Sequence, residues 1–177
     1  MKTLHRFHKT AIAVTLIAGC IGAAEAEGLY VGGSLGTPNY RDSINGISGK
    51  GSGVGGKVYG GYQIIPNFAV EAGYFDLGHI DVTSGKVNTR GAFVDGVGMY
   101  EFAPAWSVLG RVGIAQGRFT TSTGDDSSAG LRLGAGLEYG LSKTIALRGE
   151  YADYHFTNAF GHTANIGEFT AGVKIGF

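Results

Sequence analysis

The chain has 177 residues, and its 14 basic side chains balance 14 acidic ones, so no basic stripe marks it for nucleic acid. Glycine is high at 33 residues while proline stands at 3, a pairing that excludes both a collagen repeat and a disordered linker. Hydrophobic residues make up 44% of the chain, yet past the N-terminal leader no run of about 18 apolar residues offers a membrane-spanning helix. Two classes remain, a soluble glycine-rich β-protein and a membrane barrel.

The N-terminus reads as a signal peptide. Lys2, Arg6 and Lys9 supply positive charge, 11–19 are apolar, and Ala24-Glu25-Ala26 is a small-x-small cleavage site. Residues 1–26 are therefore expected to be a leader, and 27–177 the mature domain, starting at Glu27. The single cysteine, Cys20, falls inside this leader, so the mature domain is expected to hold no disulfide. Ile17-Ala18-Gly19-Cys20 also resembles the site at which bacterial lipoproteins are cut and acylated, which leaves lipidation of Cys20 as an alternative.

After Glu27 the apolar pattern has period 2, the mark of strands with two different faces. Eight runs are expected as strands: 28–36, 54–63, 68–77, 87–102, 106–118, 130–140, 144–155 and 166–177. Each has about the ten residues a tilted strand needs to cross a bilayer. Short turns lie around Ile65-Pro66-Asn67, Ala103-Pro104-Ala105 and Leu141-Ser142-Lys143. Longer polar connections are expected at 37–53, 78–86, 119–129 and 156–165. Short turns on one side with long loops on the other are the pattern of an outer membrane barrel. The expected fold is all-β, an eight-stranded antiparallel up-and-down transmembrane β-barrel of a Gram-negative outer membrane.

The two faces can be assigned. Leu131, Leu133, Ala135, Leu137 and Tyr139 alternate with Gly130, Arg132, Gly134, Gly136 and Glu138. A soluble barrel would turn the apolar set inward. Glycines and charges on the second set suit a narrow lumen, with the apolar set toward lipid. The same parity sends Lys57, Arg111, Arg132, Arg148 and Lys174 inward, with Glu71, Asp95, Glu101, Glu138, Glu150 and Glu168. Their signs nearly match, so ion pairs are expected to fill the lumen. Aromatic rings settle at headgroup depth, and Tyr62, Phe68, Tyr100, Phe102, Trp106 and Tyr139 all flank the short turns. They are expected to form an interfacial girdle on the periplasmic side.

With these assignments made, the chain resembles the transmembrane-domain family of outer membrane protein A and its small relatives. Leu29-Tyr30-Val31-Gly32-Gly33-Ser34-Leu35-Gly36 resembles that family's first strand. Gly60-Gly61-Tyr62-Gln63 with the stretch from Pro66 to Gly78 resembles its second hairpin. Leu137-Glu138-Tyr139 with Leu147-Arg148-Gly149-Glu150-Tyr151 resembles its sixth and seventh strands. The final Phe177 on an alternating strand is similar to the signal read by the barrel assembly machinery. The resemblance implies an eight-stranded monomeric barrel; outer membrane lipids and lipopolysaccharide are its expected partners. It also places lumenal charges at Glu71, Glu138, Arg148 and Glu150. Because nothing follows Phe177, the cell-wall-binding domain of longer members is expected to be missing.

Chemistry is sparsely signalled. The mature chain carries no phosphate loop, metal-spaced Cys/His cluster or nucleophile elbow, and no cofactor, metal or nucleic acid is expected. His79 and His162 fall in different polar connections, and Asp125-Asp126 reads as a solvated turn. His155-Phe156-Thr157-Asn158-Ala159 resembles the His-x-Ser-Asn-Ala motif of lipid A deacylases, which implies His155 as base, Thr157 as nucleophile and Glu168 as orienter. Threonine where that family has serine counts against it. A narrow porin-like channel is a further alternative, opposed by the fact that eight strands leave an interior that side chains can fill. The favoured expectation is a non-enzymatic barrel whose four outer loops meet a host or envelope ligand.

Overall fold

The computed structural model describes residues 28–40, 53–82, 85–121, 124–159 and 162–177. The expected leader 1–26, with Cys20, and most of the first long connection lie outside the described residues. Eight strands follow in order: β1 Leu29–Tyr40, β2 Gly55–Ile65, β3 Phe68–Val82, β4 Gly85–Ala103, β5 Trp106–Thr121, β6 Gly124–Gly140, β7 Ile145–Ala159 and β8 His162–Gly176. Each pairs antiparallel with its chain neighbours, and β1 pairs with β8, so the sheet closes into a barrel. Closure satisfies every strand edge, which an open sheet in hydrocarbon could not do.

The turns are built from local chemistry. Ala103, Pro104, Ala105 and Trp106 make the turn between β4 and β5, with Pro104 fixing its own φ and Ala105 at φ 66°. Proline followed by a positive φ is the type II arrangement, which favours glycine at the second central place. Between β6 and β7 the Ser142 hydroxyl accepts from the Ile145 N–H at 3.0 Å. On the other side, Gly78 has φ 70° within a register shift between Asp76 and His79, and its N–H donates to Asp76 Oδ1 at 2.9 Å.

The strands run further than their apolar alternation suggests. Three stretches expected as loops, 78–86, 119–129 and 156–165, are mostly strand: β3 continues to Val82, β5 to Thr121 and β7 to Ala159, with β4, β6 and β8 resuming at Gly85, Gly124 and His162. The reason is that a hydrogen-bonded ladder continues wherever two strands stay in register. Outward side chains need to be apolar only where they meet hydrocarbon. β4 has 19 residues, which at about 3.4 Å each and a tilt of about 40–45° reach about 45–50 Å, against an apolar band of about 25 Å. The barrel therefore stands well clear of the bilayer on the side away from the short turns.

The outward face is apolar over the lower part. Leu35, Ile114, Leu131, Leu133, Leu137 and Phe169 are all exposed, Leu35 at 69% and Ile114 at 68%. Apolar exposure on this scale has no place in water, and it matches a lipid-facing wall. The inward face splits into two layers. Nearer the short turns lie charged side chains; above them, toward the far end, lie Phe75, Leu77, Phe93, Phe119, Tyr154, Phe156 and Ile166, all buried.

Candidate functional site

Seven of the strands contribute charge to the lower layer, because inward positions recur every second residue along each. Lys57 of β2 bonds Glu150 of β7, which also bonds Arg111 of β5. Arg111 reaches Glu71 of β3 at 2.9 Å and Asp95 of β4 at 2.9 Å. Asp95 in turn bonds Arg132 of β6. Arg148 of β7 lies 2.5 Å from Glu71, 2.8 Å from Glu138 and 3.6 Å from Glu150. Lys174 of β8 closes onto Glu138. β1 adds Tyr30, whose hydroxyl donates to Glu71 at 2.9 Å. The set forms one connected lattice across the barrel axis, with most members fully buried.

Burying charge is costly, and it is offset here because each carboxylate meets more than one donor. Glu71 is the hub, held by Arg111, Arg148 and Tyr30 together. Lys174 and Glu138 sit at the rim, with side chains 15% and 12% exposed. Close approach of the strands is needed to seat this lattice. A Cβ on Gly113 would stand 2.1 Å from the Val94 carbonyl oxygen and 2.3 Å from Asp95 Oδ1, so only glycine leaves room there.

Above the lattice the lumen is aromatic. Phe75 and Tyr154 have ring centroids 5.0 Å apart, and Phe119 meets Phe156 edge-on at 5.2 Å. Arg132 joins the two layers, its guanidinium carbon 4.2 Å from the Phe93 ring centroid and 5.1 Å from that of Tyr154. Glu168 also lies at this height and accepts from the Tyr154 hydroxyl at 3.3 Å. The aromatic layer was not among the expected site residues. Its signal was available: Phe75, Phe93, Phe119, Tyr154 and Phe156 share the inward parity of Glu71, Asp95, Arg111 and Glu150 on their own strands.

Other expected residues fall as follows. Glu101 keeps the inward parity but is exposed at the short-turn end, outside the lattice. Tyr62, Phe68, Tyr100, Phe102, Trp106 and Tyr139 are all exposed on the outer wall beside the short turns, with Trp106 and Tyr139 packed at 4.8 Å between centroids. Phe177 follows β8, its N–H donating to the Leu29 carbonyl at 3.0 Å.

His155, Thr157 and Glu168, the trio of the alternative deacylase reading, are not brought together. His155 and Thr157 share the outward parity of β7, whereas Glu168 is buried inside the barrel, so the sheet itself separates them. His155 Nδ1 instead meets Asn165 Oδ1, its cross-strand partner on β8. Linear spacing placed the glutamate within reach; strand parity did not. The side chains of His79, His162 and Asp125 lie outside the described residues. Among the described residues no group of three or more His, Cys, Asp or Glu gathers to hold a metal.

With the closed eight-stranded barrel established, one comparison decides the family: residues 11–177 match the outer membrane protein beta-barrel domain. The chain belongs to that family. Within the outer membrane protein beta-barrel family it is 30% identical over 180 residues to outer membrane protein A of Salmonella typhi, across 90% of this chain and 51% of the relative. It thus spans about half the length of the curated relatives it matches. Among solved barrels it is similar to Neisserial surface protein A, with TM-score 0.73, 16% identity, and 85% and 98% of the two chains covered. It is also similar to Ail of Yersinia pestis, with TM-score 0.55, 13% identity, and 84% and 95% covered. At these identities the two structures speak for the fold alone. Family and fold together place this chain in the outer membrane.

Proposed function

We propose that this barrel is a non-enzymatic scaffold of the outer membrane, a monomer that holds a rigid surface outside the cell for interaction with a host or envelope ligand. Its short turns face the periplasm, and Phe177 is the residue read by the assembly machinery. The observation that carries this reading is the filled interior. The ion-pair lattice from Lys57 to Lys174, topped by the aromatic layer, occupies the lumen from wall to wall. A barrel filled this way is suited to holding a surface and unsuited to passing solutes. Ail, a protein of the same fold described as the attachment invasion locus protein, has been crystallised with the heparin analogue sucrose octasulfate, so the fold is compatible with a surface-ligand role.

Two measurements test it. Lipid A from outer membranes with and without the protein should have the same mass spectrum; loss of one acyl chain that vanishes in His155→Ala would make the protein an enzyme. In planar bilayers the purified barrel should give no large, steady openings, and such openings would make it a channel.

A further inference from the structure

The ladder between β1 and β2 runs from Leu29 opposite Tyr62 to Gly36 opposite Gly55. Gly53 and Val54, just before β2, belong to no strand, so no tight turn closes this ladder and sets its register. Glycine-rich strands such as these specify register weakly. A slip of one residue would turn every side chain to the wrong face, but a slip of two keeps the lipid-facing and lumenal sets apart. It would also change the stagger of the closed sheet, and the width of the barrel with it. Only contacts within the ladder can exclude that slip.

Two inward pairs do so. Tyr30 lies opposite Gly61, and Gly32 opposite Tyr59. Each ring covers the glycine across from it: a Cβ on Gly61 would stand 2.5 Å from Tyr30 Cε2, and one on Gly32 2.8 Å from Tyr59 Cε1. Both rings are buried, and they meet edge-on with centroids 6.5 Å apart. Neither can swing aside freely. The Tyr30 hydroxyl donates to Glu71 at 2.9 Å, and the Arg148 guanidinium carbon lies 5.9 Å from the Tyr30 centroid and 5.3 Å from that of Tyr59. A slip of two in one direction sets Tyr30 against Tyr59, ring on ring. In the other it sets Gly32 against Gly61, with no side chain on either to fill the space.

The same arrangement recurs in β3 and β4. Their register shifts at the bulge between Asp76 and His79, so whatever joins Val82 to Gly85 does not by itself align the ladder below. There Gly73 lies opposite Phe93, and Phe75 opposite Gly91. A Cβ on Gly73 would stand 2.9 Å from Phe93 Cε1, and one on Gly91 2.6 Å from Phe75 Cζ. These rings too are buried, with centroids 6.5 Å apart. We propose that the two reciprocal ring-over-glycine sets are register clasps. They select one alignment of β1 with β2 and of β3 with β4, and so fix the barrel width for which the ion-pair lattice is built.

The test reads register by disulfide formation on the outer wall. Val31 lies directly opposite Gly60, and a slip of two would bring Val58 or Tyr62 opposite it instead. In the native register those diagonal neighbours are about 7–8 Å away, too far to bridge. Chain 27–177, which carries no cysteine of its own, receives Val31→Cys together with Gly60→Cys, Val58→Cys or Tyr62→Cys, and is oxidised in detergent after refolding. With the rings present only the first pair should cross-link. In the double variant Tyr30→Ala, Tyr59→Ala the shifted cross-links should rise at least about tenfold, the scale of two lost cross-strand pairs. Tyr30→Phe keeps the ring, drops the bond to Glu71 and should stay in register; slippage as great as in the alanine variant would assign the role to the lattice and overturn the clasp. If the alanine double variant does not fold, as judged by migration on an unboiled SDS gel, Gly32→Ala decides. It should lower the folded fraction in wild type and do nothing further in Tyr59→Ala, where the ring it strikes is gone. Equal losses in both backgrounds would overturn the proposal, as would shifted cross-links in wild type or native register in a folded double variant.

Discussion

Arg132 holds Asp95 through Nη1 while the face of the same guanidinium lies 4.2 Å from the Phe93 ring centroid. It is the joint between the charged and aromatic layers. Lysine keeps the charge but loses the flat face and the fork. Arg132→Lys is therefore expected to destabilise the barrel by about 2 kcal/mol, the scale of a desolvated cation–aromatic contact. Urea unfolding in detergent, followed by the fluorescence of Trp106, reads this out; an unchanged midpoint would show that the joint carries no energy.

The lattice should be graded from hub to rim. Arg148 touches three carboxylates and is buried, so Arg148→Ala leaves Glu71 and Glu138 short of a partner. A loss of about 3–5 kcal/mol is expected. Glu138→Ala should also lower the melting temperature in detergent, but less, because its side chain is partly exposed. Lys174→Ala, at the rim, should cost about 1 kcal/mol or less. The order Arg148, Glu138, Lys174 is the prediction, and unchanged melting of the first two would sink the pairing account.

The turn at Ala105 holds a positive φ that glycine adopts freely and alanine does not. Ala105→Gly should raise stability by about 1 kcal/mol, measured as a later unfolding midpoint. A drop instead would mean that the methyl group packs usefully in this exposed turn.

Neutralising the lattice alone should not make a channel, because the aromatic layer stays above it. The double variant Glu71→Gln, Arg148→Gln is expected to give flat traces in planar bilayers. Replacing Phe75, Phe119 and Phe156 with alanine as well should produce openings. Openings in the double variant alone would place the whole seal in the charged layer.

How far the sequence was readable follows from what alternation records. Residues 130–140 alternate apolar side chains with glycine or charge, so both faces of β6 and the direction of Arg132 were legible from the residues alone. Residues 119–129 do not alternate, because outward groups such as Thr120 and Ser127 face water, and polarity there looks like a loop although the ladder continues. The aromatic layer was hidden for a different reason. Phe93 and Tyr154 read as ordinary strand residues until parity is carried along the whole strand from Asp95 or Glu150. The same step separates His155 from Glu168, which distance along the chain cannot do.

The pairing of β1 with β8 has a consequence for how the protein is made. Eleven residue pairs from Tyr30 to Tyr40 bind the first strand to the last, so the opening strand has no permanent neighbour on one side until the final strand arrives. A chain that stops before β8 exposes two unpaired ribbons at once, on β1 and β7. Closure is thus all-or-none in its effect on the sheet borders: a finished molecule hides both, and an unfinished one leaves both open to pairing.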